Sequence, residues 1–328
     1  MDRVYKSGAV AGAPAAAENA SGPYPTAGVP GVTAPTKPGP FWFHMIVEEL
    51  LALVADANIA FDKTVLTQVR DAVRALVAGA ALPRNYLSGY GLANNAGDAT
   101  NDIDISAGAA RSSDDTTNLV GGAMTKMIDA VWAAGTAAGG RISSESLVNG
   151  TWHAYAFKRT TGGAGIDYCW SQSLAPTLPD SGTKSRRIGS WLREAGVMIP
   201  MVVDGDYFRR KASVLDVNAN NPGATAVSRT LSVPNGIKVY AMFNAFIQSN
   251  IGTRSIFSDL DANDEAPSPS AAPLSDVGDA ISATSHSRAL IVRTNTSAQV
   301  RSRINNSDAS VNVYMATTGW IDLKGRNG

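Results

Sequence analysis

Three histidines, His44, His153 and His286, are the side chains of this sequence best suited to proton transfer or metal binding near neutral pH. None stands at the H-x-x-x-H or H-E-x-x-H spacing that would place two imidazoles on one helix face. His153 alternates with Tyr155 and Phe157, which is the period of a strand face and points to packing. No strand-to-helix nucleophile elbow G-x-S-x-G occurs, and neither does a phosphate-binding loop or the G-x-G-x-x-G fingerprint. The single cysteine, Cys169, lies in the run Ile166-Asp167-Tyr168-Cys169-Trp170, so it can form neither an intrachain disulfide nor a thiolate metal cluster. Its expected role is that of a small buried hydrophobe.

Two acidic clusters could hold a cation or act as a carboxylate pair. Asp259, Asp261 and Asn263 alternate as the opening ligands of a calcium loop do. Asp264, however, stands where the loop needs glycine, and Ser270 where it needs a closing bidentate Glu, so no metal site is expected there. Asp98, Asn101, Asp102 and Asp104 form the second cluster, with Asp102 and Asp104 on one strand face; turn capping and solvent contact account for them. Paired carboxylates for glycoside cleavage are defined by their separation in space, which sequence does not give. Trp152, Tyr168, Trp170, Trp191, Tyr240, Tyr314 and Trp320 lie in or beside strand-like runs, where most serve as core. Trp152, Trp170 and Trp320 are the candidates for glycan contact. No catalytic residue and no cofactor is assigned.

The elements that would carry these residues fall into four stretches. Residues 1–40 are rich in Pro, Gly and Ala and read as an extended docking arm. Residues 41–82 read as a helical hairpin collar. Its first helix carries Phe43, Ile46, Leu50 and Leu53 on one stripe, and its second, N-capped by Asp62, carries Leu66, Val69, Val73 and Leu76. These eight residues are the expected oligomer or docking interface, because a hairpin of this size cannot bury both stripes by itself. From residue 83 on, turn signals such as Asn149-Gly150, Asp204-Gly205 and Asn235-Gly236 recur between short strand-like runs. This predicts a β-rich domain over 83–215, with one helix near 116–134 on the face of Val120, Met124, Met127 and Val131. After a polar joint at 214–223, a C-terminal β-sandwich follows over 216–328. The fold class expected is therefore mainly β: an extended arm and an α-helical hairpin followed by two β-sandwich-like domains.

Charge and hydropathy narrow the partners. Lys+Arg and Asp+Glu balance at 28 each, which argues against a nucleic-acid backbone or an anionic lipid surface as partner. No run reaches the roughly 18 uninterrupted apolar residues of a membrane span. The first residues are interrupted by Asp2, Arg3, Lys6, Glu18 and several prolines, unlike the apolar segment of a secretory signal.

The segment Phe41-Trp42-Phe43-His44-Met45-Ile46-Val47-Glu48-Glu49-Leu50, followed by Asp62-Lys63-Thr64-Val65-Leu66-Thr67-Gln68-Val69, resembles the N-terminal element of bacteriophage tail-fibre and tail-associated structural proteins. In those, a Trp-containing helix start, a Glu-Glu pair and a Thr-Gln-Leu helix follow a Gly/Pro-rich leader; Val69 stands here where Leu is commoner. Asn101 to Ile105, Lys184 to Ser190, Asp204 to Phe208 and Gly319 to Asp322 also look like sequences of phage tail proteins. The resemblance implies a virion structural protein of the tail, assembled in the host cytoplasm, active in virion assembly and host attachment and not an enzyme. It implies sister chains in a homotrimer, other tail or virion proteins and host surface glycan as partners. A capsid decoration or collar-fibre protein and a glycan-cleaving tail spike are the alternatives.

Overall fold

The computed structural model describes residues 30, 40–161, 165–278 and 284–326. Apart from residues 30 and 40, the arm expected over 1–40 lies outside the described residues. The chain divides into two compact units, Met1–Ala81 and Leu82–Gly328.

In the first unit, α1 (Pro40–Asp56) starts on a proline, whose missing N–H costs nothing at a first helical position. It ends in a Schellman turn: Asn58 takes a left-handed conformation, its N–H donates to the Ala55 carbonyl, and the Ile59 N–H donates to the Val54 carbonyl. The second helix begins later than expected. Asp62 does not cap it; the Asp62 carboxylate accepts from the Thr64 N–H at 2.8 Å and hydroxyl at 2.7 Å, an Asx turn in the connector. Helix α2 runs from Gln68 to Gly79. Buried Gln68 ties the connector down, accepting from the Asp62 N–H at 3.1 Å and donating to the Ala60 carbonyl at 2.7 Å. Leu66, expected on the second stripe, is thus not helical and is 95% exposed.

The second unit is built of strands. In chain order they are β1 (Leu87–Gly89), β2 (Leu92–Asn94), β3 (Asp102–Ile105), β4 (Gly108–Arg111), β5 (Asn118–Gly121), β6 (Met124–Val131), β7 (Ala138–Arg141), β8 (Gly150–Lys158), β9 (Ile166–Ser171) and β10 (Ser185–Glu194). There follow β11 (Val197–Met198), β12 (Met201–Asp204), β13 (Tyr207–Asn220), β14 (Val227–Thr230), β15 (Tyr240–Ser249), β16 (Arg254–Ser258), β17 (Val277–Gly278), β18 (Thr284–Arg293), β19 (Gln299–Ile304) and β20 (Asn312–Ile321).

Four sheets result, of order β1-β4-β5, β11-β10-β8-β9-β7-β6-β3-β2, β12-β13-β20-β15-β18 and β14-β19-β16-β17. The pairs β6–β7 and β7–β9 are parallel and all other strand pairings among the described residues antiparallel. The helix expected near 116–134 is instead the pair β5 and β6. Gly121 and Gly122 disfavour helix there, and a side chain at Gly121 would collide with the Tyr168 hydroxyl. Residues 214–220, expected as a joint, belong to β13, and the turn begins at Asn221.

One hydrophobic core runs through the unit. Phe208 of β13 stacks on Trp320 of β20 at 5.6 Å and meets Trp191 of β10 edge-on, joining the eight- and five-stranded sheets. Phe243 of β15 meets Phe257 of β16 edge-on, joining the five- and four-stranded sheets as in a sandwich. Strands β8 and β9 are buried on both faces. Their second face carries a smaller cluster of Ile142, Tyr155, Phe157 and Cys169.

Candidate assembly interface

Asp98, Asp104, His153 and the carboxylates of the Asp259–Asp264 loop are engaged within the fold. Asp98 caps its own turn, with Thr100 donating its hydroxyl and N–H, and this holds the carboxyl below its usual range. Asp104 accepts from Asn95 at 2.8 Å and Thr125 at 2.6 Å. Asp102 shares its strand face, and partial burial together with the charge of Asp98 raises its carboxyl. No group of three or more His, Cys, Asp or Glu that could hold a metal ion occurs among the described residues. The Asp259–Asp264 loop is strapped down by cations. Asp261 pairs with Lys238 at 2.6 Å and Arg293 at 2.9 Å, Asp264 pairs with Arg303 at 2.5 Å, and Arg301 donates to the Ala262 and Asn263 carbonyls.

His153 is buried and faces the Ser190 hydroxyl at 2.8 Å through Nδ1. Ser190, also buried, accepts from Arg187 at 2.8 Å, and Arg187 forks onto Asp322 at 2.5 and 2.8 Å. Burial works against the Asp322 charge, but the Arg187 pairing outweighs it and holds the carboxyl below its usual range. Burial, reinforced by the Arg187 charge, pushes the His153 imidazole down to about 4. The Ser–His pair is therefore a latch between β8, β10 and the segment after β20, with neither group open to a substrate. Sequence reasoning missed this latch. Apart from His153, its parts lie in stretches singled out for their phage resemblance, Lys184 to Ser190 and Gly319 to Asp322, and the stacked Phe208 belongs to a third.

Trp152, Trp170 and Trp320, the expected glycan contacts, are all fully buried. Each sits on the core side of its strand, so none can form a sugar platform. On the five-stranded sheet the aromatics that reach solvent are Tyr207 and Tyr240, beside half-buried Tyr314 and Phe246. All four share the outer face of the five-stranded sheet. Register places Tyr207, Ile321, Tyr240 and Arg293 in one cross-strand row, Leu215, Ala316, Asn244 and Ala289 in a second, and Asn218, Tyr314, Phe246 and Ser287 in a third. Leu215 and Ile291 on this face are more than half exposed.

The eight residues expected as an interface divide differently. Val47, Val54, Gln68 and Ala72 form the buried seam between α1 and α2. Leu50, Leu53, Val69 and Leu76 are half-buried beside it. Phe43, Ile46, Leu66 and Val73 are exposed, together with Trp42, Met45, Phe61, Val65 and Val77. Helix α1 is apolar nearly all round, and α2 covers only one of its sides.

No protein-family model matches the chain, and no curated protein matches it. Among solved structures, a chain of the infectious bursal disease virus Gx strain aligns over 71% of this chain and 70% of its own length, at 10% identity and a TM-score of 0.16. A likeness at that level carries no argument about function.

Proposed function

We propose that the chain is a bacteriophage virion structural protein, a tail-fibre or tail-attachment component that works by assembly and not by catalysis. The observation that carries this reading is the contrast in burial: the polar clusters are consumed inside the β unit, while the helical unit leaves Trp42, Phe43, Met45 and Ile46 in water. An apolar surface of this kind is a contact waiting for a chain. The resemblance of the Trp42, Glu48-Glu49 and Thr67-Gln68 element to tail-fibre proteins supports the same reading. Sister chains, as a homotrimer, are the partners proposed for the helical unit. Other virion proteins or host glycan are proposed for the open sheet face.

Labelling the chain in imaged virions tests the proposal. The expected outcome is label on the tail; label on the shell would favour the decoration or collar-fibre reading, and virions without the chain would contradict both. New reducing ends after incubation with host polysaccharide would contradict the non-enzymatic part.

A further inference from the structure

The most unusual polar pair in the molecule lies apart from these surfaces. Lys126 of β6 and Asp167 of β9 are both fully buried, with Lys126 Nζ 2.7 Å from Asp167 Oδ1. Nζ also donates to the Ala133 carbonyl at 2.8 Å and lies 5.6 Å from the centre of the Trp132 ring. The carboxylate is held by two backbone donors, Tyr168 N–H to Oδ1 at 2.7 Å and Gly135 N–H to Oδ2 at 2.9 Å. Phe157, which packs edge-on against Trp132, and Cys169 line the same small cluster. We propose that Lys126 and Asp167 condense into an intramolecular isopeptide bond that ties β6 to β9 across β7.

Burying an ammonium and a carboxylate is expensive even when they are paired, whereas an amide is neutral. Burial lowers the Lys126 pKa, which favours the free amine that the reaction needs. The two groups are already in contact, so their encounter is intramolecular and oriented. The ammonium passes a proton to Oδ1, and the Nζ lone pair attacks Cγ. Negative charge gathers on Oδ2, where the Gly135 N–H already points. Nζ gives up a second proton to the departing Oδ1, and the Cγ–Oδ1 bond breaks with release of water. The product keeps its partners: Oδ2, now an amide oxygen, accepts from Gly135, and the single remaining N–H donates to the Ala133 carbonyl. No oxidant, metal or second substrate is required.

Mass spectrometry of the purified full-length chain tests this. The expected intact mass is about 18 Da, one water, below that of the sequence. After denaturation and trypsin, the peptide from Ser112 to Arg141 should remain uncut at Lys126 and joined to the peptide from Thr160 to Lys184. Asp167→Ala should carry its own full mass. A wild-type chain at full mass that releases the peptide from Met127 to Arg141 would overturn the proposal. So would a deficit that persists in Asp167→Ala.

Discussion

The helical unit and the β unit use apolar residues in opposite ways. In the β unit the large aromatics Trp152, Trp170, Trp191, Trp320, Phe208 and Phe243 are all within the core. In the helical unit the large side chains Trp42, Phe43, Phe61 and Leu66 are exposed, and the buried seam is made of smaller ones, Val47, Val54 and Ala72. The β unit is thus stabilised by its own burial, whereas the hairpin has little internal burial and gains most by covering its outer surface against another chain. On the proposed reading, stability and assembly are divided between the two.

The sharpest way to break that division is to truncate one large apolar side chain in each unit. Trp320→Ala removes an indole stacked on Phe208 and should cost about 3–5 kcal/mol in urea unfolding of the β unit. Leu66→Ala, at a position almost fully in water, should change unfolding of the isolated protomer by less than about 0.5 kcal/mol. Equal effects would erase the contrast.

Acid should act on the β unit next most strongly. His153 is held neutral in the folded chain, with its pKa at about 4 against an ordinary 6.5. A depressed folded pKa means that this contribution is present above pH 6.5 and is lost as pH falls toward 4. From His153 alone the loss amounts to about 3 kcal/mol. His153→Gln should flatten the pH dependence of unfolding between those limits, and an unchanged slope would show that the latch does not titrate. Within the hairpin, Gln68→Ala removes both connector hydrogen bonds and should cost about 1–2 kcal/mol of helical-unit stability, read from helix circular dichroism on heating. The smallest effect on protomer folding is expected from Phe43→Asp, which places a charge on an exposed position of α1. Its cost should appear in association: a lower assembled mass, with strand signal intact.

The fold class was legible because turn dipeptides punctuate the chain from residue 83 onward and the amphipathic period stops before them. Helix α1 was legible for the same reason. The span 116–134 was not, because Val120, Met124, Met127 and Val131 satisfy a helical spacing. In the structure Val120 and Val131 point to solvent from two separate strands, and the Gly121-Gly122 pair was the signal against helix. Asp62 misled because an N-cap and an Asx turn use the same carboxylate-to-backbone bond, and only the later chain direction separates them. The tryptophans misled because alternation tells which residues share a face but not which face is covered. On β8 and β9 both are. The latch of His153, Ser190, Arg187 and Asp322 joins residues far apart in sequence, and no local pattern announces it.

Light scattering on the full chain and on residues 82–328 tests the central claim, that association resides in the helical unit. The account predicts an oligomer of three for the full chain and a folded monomer for the β unit alone. A full chain that is monomeric, or a β unit that keeps the same oligomer, would contradict it and move the interface to the open face of the five-stranded sheet.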